Sequence, residues 1–125
     1  DTREADVEKL YFSFGNLADL PRLQAFCERF DVDLVVSIHN GLEVTQKGVE
    51  KGSGFAALRG HLGIPKEQTA AVGDGMADIA MFRESGLSIA MGNAYESVRQ
   101  SADLVAPYND QDGAVWAVGQ ILAAR

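Results

Sequence analysis

The sequence predicts an α/β fold: a parallel sheet with helices on both faces, preceded by a small α+β piece. Three observations carry this. Short apolar runs recur at Thr69-Ala70-Ala71-Val72, Leu87-Ser88-Ile89-Ala90-Met91 and Asp103-Leu104-Val105, each short enough for a buried strand. Helical patterns separate them, which implies crossover connections and parallel pairing. Before residue 48 the rhythm differs, because two extended runs there lie close enough to pair antiparallel.

From the N-terminal side, Leu10-Tyr11-Phe12-Ser13-Phe14 reads as a strand. A helix from Asp19 to Phe30 follows, with Pro21 in its first turn, where a missing N–H costs nothing. Leu34-Val35-Val36-Ser37-Ile38 is a second strand, and Leu42-Glu43-Val44-Thr45 alternates apolar and polar residues and can pair with it across His39-Asn40-Gly41. A helix is expected from about Ser53 to His61, closed by Gly63 and Pro65. The Val72 strand comes next, then a helix from Ile79 stopped at Ser85-Gly86, and the Leu87 strand. A short helix around Tyr95 to Gln100, the Leu104 strand and a final helix from Asp112 complete the chain. The change of rhythm divides it into residues 1–47 and 48–125.

At 125 residues the chain has the size of one domain, and 46% hydrophobic residues suffice for a core. Phe12, Phe14, Phe26 and Phe30 read as core, and Trp116 as a packing residue. The single cysteine, Cys27, has no internal disulfide partner and falls in a helical pattern, where it serves as a small apolar residue. No apolar run reaches the length of a membrane span, and Asp1-Thr2-Arg3-Glu4-Ala5-Asp6 lacks signal-peptide character. A soluble, cytoplasmic protein is the expectation. A net charge of −7 argues against a nucleic-acid surface and requires local positive charge for any anionic substrate.

The run Gly73-Asp74-Gly75-Met76-Ala77-Asp78 carries the most chemistry. Its two acids fall where a strand ends, the edge at which open α/β sheets build their sites. Two neighbouring carboxylates repel unless something positive lies between them. Mg²⁺ suits such a place, since it takes one or two carboxylates, keeps waters and leaves room for phosphate oxygens. The same residues also make an ordinary turn followed by a first-turn acid favoured by the helix dipole. Lys51, just before a helix, could reach these strand ends and balance phosphate charge, although a lysine there opposes the dipole. In Ala90-Met91-Gly92-Asn93-Ala94 a strand again turns into a helix, and Asn93 could meet an anion or simply cap the turn.

In their order along the chain these segments resemble one family, the haloacid dehalogenase-like phosphatases of the Cof-type group, whose α/β core carries a large inserted cap. Gly48-Val49-Glu50-Lys51-Gly52 is similar to that family's lysine motif, and Gly73 to Asp78 to its acidic motif. Ala90 to Ala94 resembles the loop after it. Ala102-Asp103-Leu104-Val105 and Asn109-Asp110-Gln111-Asp112-Gly113-Ala114-Val115 resemble its C-terminal strand and helix start. The resemblance implies that residues 1–47 are part of the cap and 48–125 part of the core. It also implies hydrolysis of small phosphorylated metabolites, such as sugar phosphates, through an aspartyl-phosphate. By that reading Lys51 neutralises nucleophile and phosphoryl group, Asp74 ligates Mg²⁺, Asp78 holds it directly or through water, and Asn93 contacts phosphate.

Two departures stand out. Ala77 occupies a position where the family usually has asparagine, which can hydrogen-bond around the metal. The family's nucleophile motif, Asp-x-Asp-Gly after an apolar strand near the start, is absent. Asp31-Val32-Asp33 has the acid spacing, but Leu34 follows and the acids precede a strand instead of ending one. The expectation is therefore a chain inactive alone, paired with a complementary N-terminal half or with a second copy. Two other readings are a non-catalytic interaction module and a phospho-acceptor receiver domain, whose order of acids this chain lacks. His39, in the cap-like part, is a possible substrate contact, and His61 sits near a helix end.

Overall fold

A computed structural model describes residues 7–37 and 41–124; His39 lies outside them. The chain divides into two compact units between Glu50 and Lys51. Residues 48 and 49 go with the first, because Gly48 N–H donates to Asp33 Oδ2 at 2.7 Å and the Thr45 hydroxyl donates to the Val49 carbonyl at 2.9 Å.

The first unit is a three-stranded antiparallel sheet with one helix. Strand β1 (Lys9–Ser13) and strand β2 (Val32–Ser37) flank β3 (Gly41–Gln46), and α1 (Leu20–Cys27) follows a 3₁₀ turn at Leu17–Asp19. The pairing places Leu10 opposite Val44, and Val44 opposite Leu34, so one face is apolar. Helix α1 covers its centre: Cys27, Leu42 and Val44 are buried, with Phe14, Leu20, Leu23, Val32 and Leu34 around them. One eight-residue helix cannot cover a whole sheet. Phe12 on β1 is therefore 37% exposed; Phe26, on α1 itself, and Phe30, past its end, are 52% and 56% exposed, which corrects the expected place of all three in the core. Phe26 and Phe30 pack on each other instead, with ring centres 5.3 Å apart and the Arg29 guanidinium over Phe26.

The second unit is the expected α/β arrangement. Its elements are α2 (Lys51–Leu62), β4 (Ala70–Gly73), α3 (Asp78–Glu84), β5 (Leu87–Ala90), α4 (Glu96–Arg99), β6 (Leu104–Val105) and α5 (Gly113–Ala123). The three strands are parallel in the order β4-β5-β6, Val72 pairing with Ile89 and Ile89 with Leu104. Side chains alternate across the sheet, so Ala71 and Ala90 face α3 and α4 in a cluster with Phe82 and Val98. Val72, Leu87, Ile89 and Leu104 face α5, meeting Ala117, Trp116 and Ile121. Helix α2 begins two residues earlier than its sequence pattern suggests. A side chain on Gly52 would come within 2.7 Å of the Ala80 carbonyl, so this glycine lets α2 lie close on α3.

Strands of two to four residues make few ladder bonds, and side chains reinforce them. The Ser88 N–H and hydroxyl both donate to Asp103 Oδ2, at 2.8 and 2.6 Å. The Asp103 N–H returns to the Ser88 hydroxyl at 3.0 Å. These bonds, the hydroxyl foremost, hold the Asp103 carboxyl below the usual carboxylate range. A depressed folded pKa contributes stability above the unfolded value, about 3.9, that is lost as pH falls through the folded one. Asp103→Asn should cost about 1 kcal/mol at pH 7, given its exposure, and progressively less as the pH falls through the folded pKa of Asp103, as measured by urea unfolding along a descending pH series.

Candidate functional site

The carboxyl end of the parallel sheet gathers the expected residues. Strand β4 ends at Gly73, and the Met91 N–H just past β5 donates to the Gly73 carbonyl at 2.9 Å, so the Asp74 and Gly92 turns leave neighbouring strands. Between β4 and α3 the chain makes a tight turn closed by the Asp78 N–H on the Gly75 carbonyl at 3.0 Å.

Asp78 is the anchor of this turn. It is 4% exposed, and every donor it needs is present. Its Oδ2 accepts the N–H groups of Asp74 and Gly75 at 3.0 and 2.9 Å. Its Oδ1 receives the ammonium of Lys51, the first residue of α2. Burial works to raise the Asp78 pKa, but the Lys51 ammonium and the Gly75 and Asp74 N–H groups outweigh it and leave the carboxyl below its usual range. As first residue of α3, the carboxylate also complements that helix's dipole.

Gly73 makes this possible. A Cβ there would lie 2.5 Å from the Asp78 Cβ and Cγ and 2.6 Å from its Oδ2. The carboxylate folds back over the strand end through space that any side chain would fill.

The structure brings Lys51 and Asp78 into contact and leaves Asp74 exposed beside them. The positive group that the two acids demand is thus already supplied by Lys51 in the fold itself. Lys51 remains more than half exposed, and an ammonium has three N–H donors, of which Asp78 takes one. Among the described residues no group of three or more His, Cys, Asp or Glu converges as a metal site. No described side chain bonds the Asp74 carboxylate, and an open carboxylate suits a hard, water-rich cation. Ala77 starts α3 without a side-chain cap.

Asn93 is exposed, and its Oδ1 accepts the Asn109 N–H at 3.2 Å, tying the turn after β5 to the one before α5. Sequence reasoning missed Arg99, whose Nη1 donates to the carbonyls of Gly92 and Ala94 at 3.0 and 2.9 Å while Nη2 meets Glu96. Backbone carbonyls as partners leave no mark in a sequence, so only the spacing from Asn93 could have hinted at it. It missed also the Ser97 hydroxyl on the Met76 sulfur at 3.3 Å, which links α4 to the turn after β4.

Two other acids have local partners or geometry of their own. Asp33 lies inside β2, not ahead of it, and is held by Lys47 Nζ and Gly48 N–H, both at 2.7 Å. An edge strand tolerates a paired acid on its polar face. Asp110-Gln111-Asp112-Gly113 has the letters Asp-x-Asp-Gly but forms a 3₁₀ turn running into α5, with Asp112 in the left-handed region at φ 56°.

Sequence comparison matches residues 3–118 to the haloacid dehalogenase-like hydrolase family. Among curated relatives, a Bacillus subtilis 5-amino-6-(5-phospho-D-ribitylamino)uracil phosphatase, YcsE, is 35% identical over 90% of this chain and 47% of its own length. An Escherichia coli phosphatase of the same description, YbjI, is 32% identical over 94% of this chain and 45% of its own. The solved structure of the subclass IIB sugar phosphatase BT4131 superposes with a TM-score of 0.80 at 27% identity, over 96% of this chain and 45% of that one. The chain spans less than half the length of these relatives.

The close approach at Gly73 yields a test. Gly73→Ala should destabilise the chain by about 1 to 3 kcal/mol in urea unfolding, since the turn must shift to admit a methyl group. Gly75→Ala, whose Cβ would meet only Asp78 Oδ2 at 3.5 Å, should cost less than about 0.5 kcal/mol.

Proposed function

Because this chain belongs to the haloacid dehalogenase-like hydrolases, we propose that it is part of a phosphatase acting on small phosphorylated metabolites, sugar phosphates among them. The carrying observation is the Lys51–Asp78 pair at the carboxyl end of β4 with Asp74 exposed beside it. In this reading Lys51 offers its remaining N–H donors to a phosphoryl oxygen and offsets the charge of the attacking carboxylate. Asp78 keeps the ammonium in place and, by accepting the Asp74 and Gly75 N–H groups, fixes the direction of the turn. Asp74 and, through the same turn, Asp78 would hold Mg²⁺, with water and phosphate completing the shell. When bound, that ion withdraws charge from the phosphoryl group. Asn93 binds phosphate through the part of its amide not engaged by Asn109. The nucleophilic aspartate that such enzymes use would come from residues outside these 125, and the first unit would be the portion of the cap that the sequence resemblance implies.

Three measurements test this reading. Asp74→Asn should leave thermal unfolding within about 0.5 kcal/mol of the parent and abolish the Mg²⁺-dependent heat in calorimetry; unchanged affinity would remove Asp74 from the metal site. Ala77→Asn should strengthen Mg²⁺ binding by about 0.5 to 1.5 kcal/mol, the worth of one added hydrogen bond. The 125-residue chain alone should not turn over a sugar phosphate. Turnover that disappeared in Asp33→Asn or Asp112→Asn would place the nucleophile within this chain.

A further inference from the structure

Arg99 is used by nothing in the reading above, yet it donates twice to the Asn93 turn. Its Nη1 serves two carbonyls of that turn at once, Gly92 at 3.0 Å and Ala94 at 2.9 Å, while Glu96 holds Nη2. Such a fork needs the planar guanidinium; a lysine has donors but no fixed geometry.

A trans peptide is planar, with its C=O and N–H pointing in opposite directions. No described peptide bond is cis. Drawing the Gly92 carbonyl toward Arg99 therefore turns the Asn93 N–H away from it, and drawing the Ala94 carbonyl turns the Tyr95 N–H away likewise. Neither N–H has a partner among the described residues, whereas the N–H groups between and before them do: Ala94 donates to the Met91 carbonyl and Gly92 to the Pro107 carbonyl. The turn leaves β5 beside the Asp74 turn, as the Met91–Gly73 bond requires. Glu96 neutralises the guanidinium, so Arg99 acts here through geometry more than through net charge.

We infer that Arg99 is a positioning residue for phosphate binding: by holding the Gly92 and Ala94 carbonyls it turns the Asn93 and Tyr95 peptide N–H groups toward the phosphoryl group. The inference rests on the phosphatase reading, but it assigns the work to a residue that touches neither substrate nor metal.

The test uses the intact protein and inorganic phosphate as the probe. Calorimetry should show phosphate binding weakened about tenfold in Arg99→Met, the loss of roughly one well-placed hydrogen bond, with Arg99→Lys intermediate. With a phosphate ester as substrate, KM should rise in step while kcat changes less. Arg99→Gln, milder in its packing, should weaken phosphate binding in the same direction and carries the test if Arg99→Met does not fold. A folded Arg99→Met or Arg99→Gln variant with parental phosphate affinity would overturn the inference. Asn93→Ala separates the two readings: parental affinity there together with weakened Arg99→Met would discard the Asn93 amide and leave Arg99 acting through the peptide N–H groups. An intact protein that binds no phosphate would overturn both.

Discussion

A carboxylate buried at the end of a strand imposes its needs on everything around it. Left unpaired, the Asp78 charge would cost several kcal/mol, and no amount of apolar packing relieves that. Its compensation comes from two places in the chain: the peptide groups of its own turn, and an ammonium 27 residues upstream. The start of α2 is thereby held against the start of α3. This accounts for a placement that looks poor by itself, a lysine in the first turn of a helix, since the ion pair outweighs a dipole term worth about 0.3 to 1 kcal/mol. Gly52 and Gly73 are the steric conditions for the same contact, one letting the helices close and the other letting the carboxylate fold over the strand.

The two faces of the parallel sheet differ in thickness for a related reason. Toward α3 and α4 the strands present Ala71, Gly73, Ser88 and Ala90, and toward α5 they present Val72, Leu87, Ile89 and Leu104. Small residues let α3 approach closely enough for its first residue to reach the strand end. The strands' own bulk lies on the opposite face, where Ile89 is fully buried and contributes about 1.5 to 3 kcal/mol.

Legibility in the sequence followed the range of the interactions. The order of strands and helices in the second unit, and the antiparallel pair in the first, came from local periodicity, which these segments display clearly. Cys27 and Trp116 lie in clusters as their patterns suggested. The aromatic residues Phe12, Phe26 and Phe30 misled, because hydrophobicity says that a side chain prefers burial but not whether this chain carries enough cover. At the site, the acidic turn and Lys51 were visible as residue types in order. Their partnership was less so: a lone pair of acids suggested a cation between them, and the fold shows a lysine on one and an open carboxylate on the other. Arg99 was invisible, since its partners are carbonyl groups that every residue possesses.

The Met91–Gly73 bond joins the ends of β4 and β5, and the Gly92–Pro107 bond joins the turn after β5 to the segment after β6. The strands they connect are so short that these closing bonds are a sizeable fraction of the whole ladder. In a longer sheet such turns would fray on their own and exchange their amide hydrogens without disturbing the centre. Here fraying would open the sheet itself, so the turns of the candidate site and the residues that close the fold belong to one cooperative unit. The amides of Met91 and Gly92 should accordingly exchange only as slowly as the centre of the sheet does, although both sit at its rim.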